Sequence, residues 1–139
     1  FHEFRGDVLL SMAKPDAAAM AYKRAISIRP DSPQILLNYG RALVASGKRE
    51  SLKDAISALE QARDGEPKWT FVYHQLAIAF GRAGRLADAD ITLAEKALLT
   101  GDIQQAIKMA KRSLMHGTVG SEIQNRANDI FYRYGAAAE

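Results

Sequence analysis

Cysteine is absent from the 139 residues, which excludes disulfides, thiol nucleophiles and thiolate zinc sites. Histidine is scarce too. His2, His74 and His116 stand as isolated singles, and none has a second histidine four residues away, the spacing that places two imidazoles on one helical face for zinc. His2-Glu3 begins like an H-E-x-x-H motif, but the position of its second histidine holds Gly6. Gly-rich phosphate loops are missing, and no pair of carboxylates stands in an apolar context that would tune one as acid and one as base. No apolar run approaches the roughly 20 residues of a membrane-spanning helix, so no membrane insertion by this chain is expected. Neither sign of charge dominates. A net +3 is too small and too dispersed for a nucleic-acid partner, which needs a concentrated basic stripe. The densest basic stretch, Lys108, Lys111 and Arg112, reads as a solvated helix face. No segment reads as a targeting peptide, and Phe1 in place of an initiator methionine is expected of a piece of a longer or processed chain.

Proline is rare, with four residues, and β-branched runs are few while alanine is abundant, so helix is favoured throughout. The four prolines are not scattered. Ala18, Tyr22, Ala25 and Pro30 recur as Ala55, Leu59, Ala62 and Pro67, and Leu36, Tyr39, Gly40 and Leu43 recur as Tyr73, Leu76, Ala77 and Phe80, each pair 37 positions apart. A weaker copy is Gly6 with Leu9, 34 positions before Gly40 and Leu43. Three residues are therefore inserted in the second repeat, and Lys48 to Ser51 is where they fit. The pattern matches the tetratricopeptide signature of two helices per ~34 residues. In each hairpin a first helix (A) and a second helix (B) cross closely. Small residues at Gly40, Ala77, Ala18, Ala25, Ala55 and Ala62 permit the approach, and Tyr22, Tyr39, Leu59 and Leu76 fill the remaining space.

Gly47 and Gly84 stand where A helices end in a left-handed cap. Pro30 and Pro67 end B helices, and Asp31 or Ser32 caps the next helix with Pro33 in its first turn. Beyond Gly84 the spacing halves: Gly84 and Ala89 recur as Gly101 and Ala106, 17 positions on. The helix from about Leu86 to Leu99 thus serves twice, as B of the third hairpin and A of a fourth. Asp102 with Gln105 and Ser121 with Gln124 form capping boxes. Ile123, Ala127, Ile130, Phe131 and Tyr134 then share one face of a last helix, which seals the stack as terminal repeats must. Residues from Gly135 to Glu139 read as a frayed tail. The expected fold is all-α: a single domain, 1–139, forming a right-handed tetratricopeptide-type superhelix of antiparallel helix pairs. Its repeats run about 1–32, 33–69 and 70–100, followed by a half-repeat at 101–117 and a capping helix at 121–134.

Four segments carry a more specific likeness: Phe1 to Gly6, Ala17 to Ala25, Leu98 to Asp102 followed by Gln105-Ala106-Ile107, and Gly120 to Glu122 with Arg126 to Ile130. Together they resemble the C-terminal repeat domain of bacterial zinc metalloproteases related to the CAAX-processing proteases, a family that includes the β-barrel-assembly-enhancing protease. The resemblance implies a periplasmic protein with its H-E-x-x-H zinc helix in a separate, upstream domain, and no catalytic residue or cofactor within this chain. It implies that the repeats recruit or orient substrate or partner proteins, the parent's own protease domain among the candidates. The other reading of the residues is a free-standing adaptor or assembly factor with no protease attached.

Stacked hairpins line a concave side with their A helices. In this register the concave strip carries Glu3, Asp7 and Leu10, then Leu37, Asn38, Arg41 and Val44, then Phe71, His74, Gln75, Ile78 and Arg82. The expected binding face for a protein or peptide segment comprises Leu37, Asn38, Arg41, Phe71, His74, Gln75, Ile78 and Arg82. Glu3, Asp7 and Phe71 stand where a clamp for a C-terminal carboxylate would need cations or amides, so that mode of binding is not expected. Trp69, beside Pro67 at a helix junction, reads as a packing anchor.

Overall fold

A computed structural model describes residues 1–117 and 121–135; of the tail expected from Gly135 to Glu139, residues 136–139 lie outside them. Every regular element among the described residues is helical. The helices are α1 (His2–Ser11), α2 (Pro15–Ile28), α3 (Pro33–Ala45), α4 (Leu52–Gly65), α5 (Thr70–Arg82), α6 (Leu86–Leu99), α7 (Ile103–His116) and α8 (Glu122–Tyr134). The residues inserted after α3 form a short 3₁₀ turn, Arg49–Ser51, that leads into α4. The chain divides into two compact units, Phe1–Gln75 and Leu76–Glu139, and the division falls within α5.

In the first unit each helix packs on the next, α1 on α2, α2 on α3 and α3 on α4. The repeat is visible as one contact made twice. A Cβ added to Gly6 would lie 2.6 Å from the Tyr22 ring, and one added to Gly40 would lie 2.6 Å from Leu59 Cγ. Glycine is required at both positions because the large residue of the B helix rests on the bare backbone of the A helix. The alanines expected at the crossings, Ala18, Ala25, Ala55 and Ala62, are all buried, as are Tyr22 and Leu59. Ser32 caps α3, its Oγ accepting from the Ile35 N–H at 3.4 Å, with Pro33 at the first helical position.

Turn chemistry follows the same repeat. Gly47, Gly84 and Gly101 have φ of 72°, 76° and 80°, the left-handed conformation that ends a helix without a Cβ penalty. The matching turn after α1 is made by Ala13, at φ 57°. Lys14 and Ala13 donate their N–H groups back to Leu9 and Leu10 O at 2.8 and 3.0 Å, so the cap is formed without glycine. An L-residue in this conformation costs roughly 1–2 kcal/mol. Ala13→Gly is therefore expected to raise stability by up to about 1 kcal/mol, the strain relieved less glycine's extra unfolded-state entropy. Urea denaturation of parent and variant checks it; a lowered midpoint would mean that the αL turn is not the strained element.

The second unit is centred on Ile91, Ala94, Ile107, Met109, Ala110, Ala127 and Ile130, with Ile123, Phe131 and Tyr134 packed around them. The stripe foreseen on the last helix thus faces the core, and α8 packs on both α7 and α6. Asp102 and Ser121 cap α7 and α8, accepting from the N–H groups of Gln105 (3.0 Å) and Gln124 (3.2 Å). The N–H of Asp102 itself donates to Ala97 O at 2.9 Å. The backbone of the preceding turn therefore supplies the partner that the capping box assigned to the Gln105 side chain.

Candidate functional site

In the first unit, α3 lies between α2 and α4, which cover most of its circumference. Leu37 and Val44, read from the sequence as part of an open strip, are consequently core residues; Leu37 is 2% exposed. Asn38 is also buried, but its Oδ1 reaches the edge of the strip and accepts from Arg41 Nη1 at 3.3 Å. Arg41, half-buried, places its guanidinium 5.3 Å from the centroid of the Phe71 ring on α5. Phe71 and His74 stack with centroids 6.3 Å apart and planes 18° from parallel. Four of the expected residues, Asn38, Arg41, Phe71 and His74, therefore form one connected group. Phe71 and His74 are exposed and Gln75 beside them is half-buried. Attraction of a guanidinium to a ring face contributes about 0.5–1 kcal/mol at exposed sites; here it fixes a cation and an aromatic surface side by side.

The neighbouring part of the first unit is acidic. The Tyr22 hydroxyl donates to Asp7 Oδ1 at 2.5 Å. Burial, and then this hydrogen bond, push the Tyr22 phenol well above its ordinary pKa, while the positive charge of Arg41 pulls the other way. Tyr22 thus works as a core residue with its polar tip anchored to α1. Ile78 and Arg82 belong to the second compact unit. Ile78 is half-buried and Arg82 exposed there.

A second polar cluster, in the second unit, was not foreseen. Asp90, on α6, is buried. Its Oδ1 accepts from Arg112 Nε at 2.9 Å and from an Arg112 terminal nitrogen at 2.6 Å, and its Oδ2 lies 3.1 Å from His116 Nδ1. The hydrogen bond to Asp90 raises the Arg112 pKa above its already high ordinary value. Arg112 is therefore committed to α6, and Lys108 and Lys111 alone remain as an exposed basic pair on α7. The sequence did hold a signal: Asp90 sits among Ala87, Ile91 and Ala94 at core spacing, and a carboxylate on a buried helix face requires a cation. Arg126 and Glu95 form a further ion pair between α8 and α6.

The remaining histidine, His2, buries its Nδ1 without a hydrogen-bond partner. It borders a cavity of about 290 Å³ lined also by Phe1, Ala25, Ile28 and Ile35. Among the described residues no three His, Cys, Asp or Glu side chains are grouped as a metal would need, and no helix is long and apolar enough to cross a membrane. Comparison with family models finds no match, and comparison with curated proteins finds none either.

Proposed function

We propose that this chain is a protein–protein interaction module whose face on α3 and the start of α5 holds an extended or helical segment of another protein. The observation that supports the reading is the Asn38–Arg41–Phe71–His74 group. It offers a charge, a ring face and hydrogen-bonding tips in a fixed arrangement, and arginine and aromatic residues dominate binding energies at interfaces. Pre-ordered side chains lose less entropy when a partner arrives. The likeness of Phe1–Gly6, Ala17–Ala25 and the later segments supports assigning the module to the non-catalytic C-terminal region of a periplasmic zinc metalloprotease, with its hairpins wound as a tetratricopeptide superhelix. The zinc and the hydrolytic chemistry then belong to another domain, and the role of these residues is to recruit or orient a substrate or partner.

Site-specific photo-crosslinking from position 74, compared with position 53 on α4, tests the face. A defined adduct is expected from position 74 and none from position 53. Arg41→Ala should weaken the captured partner's binding by roughly 1–3 kcal/mol with an unchanged circular dichroism spectrum. Equal crosslinking from both positions, or full affinity in Arg41→Ala, would move the binding surface elsewhere.

A further inference from the structure

Arg41 differs from its counterparts in a way that narrows what the α3–α5 face can hold. Among the described residues three arginines are half-buried, Arg41, Arg63 and Arg126. Arg63 lies 3.8 Å from Glu60 and 3.5 Å from Asp64, and Arg126 is paired with Glu95. Arg41 has only the Asn38 amide oxygen and the Phe71 ring, with no carboxylate at ion-pair distance. A guanidinium carries five N–H donors, and Asn38 takes one of them, at 3.3 Å. Its fork matches a carboxylate, which accepts two parallel hydrogen bonds, and a partly desolvated site strengthens them.

Toward α1 the sign of charge reverses. Asp7 is exposed, and its Oδ1 accepts from the Tyr22 hydroxyl at 2.5 Å, which fixes the carboxylate against α2. The charges of Asp7, Arg41 and Glu3 all act on that hydroxyl, so carboxylates of α1 and the guanidinium of α3 flank one spot. A ligand negative throughout would gain at Arg41 and be repelled by α1. A ligand positive throughout would meet the reverse. Complementarity therefore requires both signs, separated by the step from α1 to α3. These helices touch, and the axes of packed helices stand about 8–10 Å apart. An extended chain rises about 3.3 Å per residue, so two to four residues cover the step once side-chain reach is allowed for.

We infer that this face takes an extended partner segment that sets an aspartate or glutamate against Arg41 and a lysine or arginine, two to four residues away, against Asp7. The inference rests on the α3–α5 face being the binding face.

A phage-displayed library of random decapeptides, irradiated with the full chain carrying a photo-crosslinker at position 74, tests it; the crosslinker at position 53 is the control. Peptides recovered from position 74 are expected to carry an acidic residue two to four positions from a basic one. Changing that acid to its amide in synthetic copies should weaken binding to the parent chain about tenfold or more, as loss of a charge-assisted hydrogen bond does. Changing the base to glutamine should cost about two- to fivefold on the parent, as loss of an exposed ion pair does. It should cost nothing further on Asp7→Asn, whose amide oxygen still accepts from Tyr22. Adducts at position 74 from peptides without the paired charges, or amide copies that bind as tightly, would overturn the inference and leave the face standing. Adducts no more frequent from position 74 than from position 53 would overturn the face itself and the inference with it.

Discussion

Gly40→Ala is expected to lower stability by about 1–3 kcal/mol, the usual cost of forcing an extra carbon into a packed contact. Helix propensity alone predicts the opposite sign, since alanine is better than glycine in a helix interior by about 1 kcal/mol. Packing wins because the new Cβ would stand 2.6 Å from Leu59 Cγ and 2.8 Å from one of its methyl carbons. Leu59 is fully buried, in an interior that packs closely. Leu59→Ala by itself should cost about 2–5 kcal/mol through lost burial and the cavity left behind. In that background Gly40→Ala should change sign and become stabilising by up to about 1 kcal/mol, because its methyl enters the vacated space and the propensity term is then unopposed. A double-mutant cycle measured by urea denaturation isolates the coupling. Additive effects would mean that Gly40 and Leu59 do not meet as described. The same reversal is expected of Gly6 with Tyr22, where a Cβ would lie equally close.

That contact also shows why so much of the helix layout could be read from residues alone. Gly40, Leu59, Pro67 and Gly84 report local necessities: a close approach, a filler, a helix end and a left-handed turn. The last two are decided within a few residues of chain and the first two recur at a fixed offset, so spacing located α3, α4 and α6 and placed the insertion at the 3₁₀ turn. The cap at Ala13 escaped because alanine carries no local mark of a positive φ; only its offset of 34 from Gly47 betrays it. The open face was harder to read. Helical spacing groups Leu37 with Asn38 and Arg41, but covering by α2 and α4 removes Leu37 and leaves Arg41. How much of a helix's circumference its neighbours occupy is a property of packing, and period alone does not supply it. The Arg41–Phe71 pairing joins residues 30 positions apart, beyond any local rule.

Arg112→Leu is expected to cost about 1–3 kcal/mol, the penalty of leaving a buried acceptor without its donor. Asp90 is buried on α6, and Arg112 supplies two of its hydrogen bonds across to α7. His116 reaches only the other carboxylate oxygen, at 3.1 Å. Lys111→Leu, one residue away on the exposed face of α7, removes the same charge but should stay within about 0.5 kcal/mol of the parent, as exposed substitutions do. The comparison separates the pairing from any general effect of net charge. The loss should also depend on the carboxylate's charge. Removing the cation from a buried carboxylate is costly because the remaining ion is stranded, whereas neutralising both sides removes that burden. Asp90→Asn with Arg112→Leu is therefore expected to recover at least half of the Arg112→Leu deficit, since a neutral amide is cheaper to bury than a carboxylate. Thermal or urea denaturation of the single variants, the double variant and the Lys111→Leu control gives the result. If Arg112→Leu proves no worse than Lys111→Leu, then Asp90 is satisfied without its guanidinium partner, and the α6–α7 pair is held by its apolar core alone.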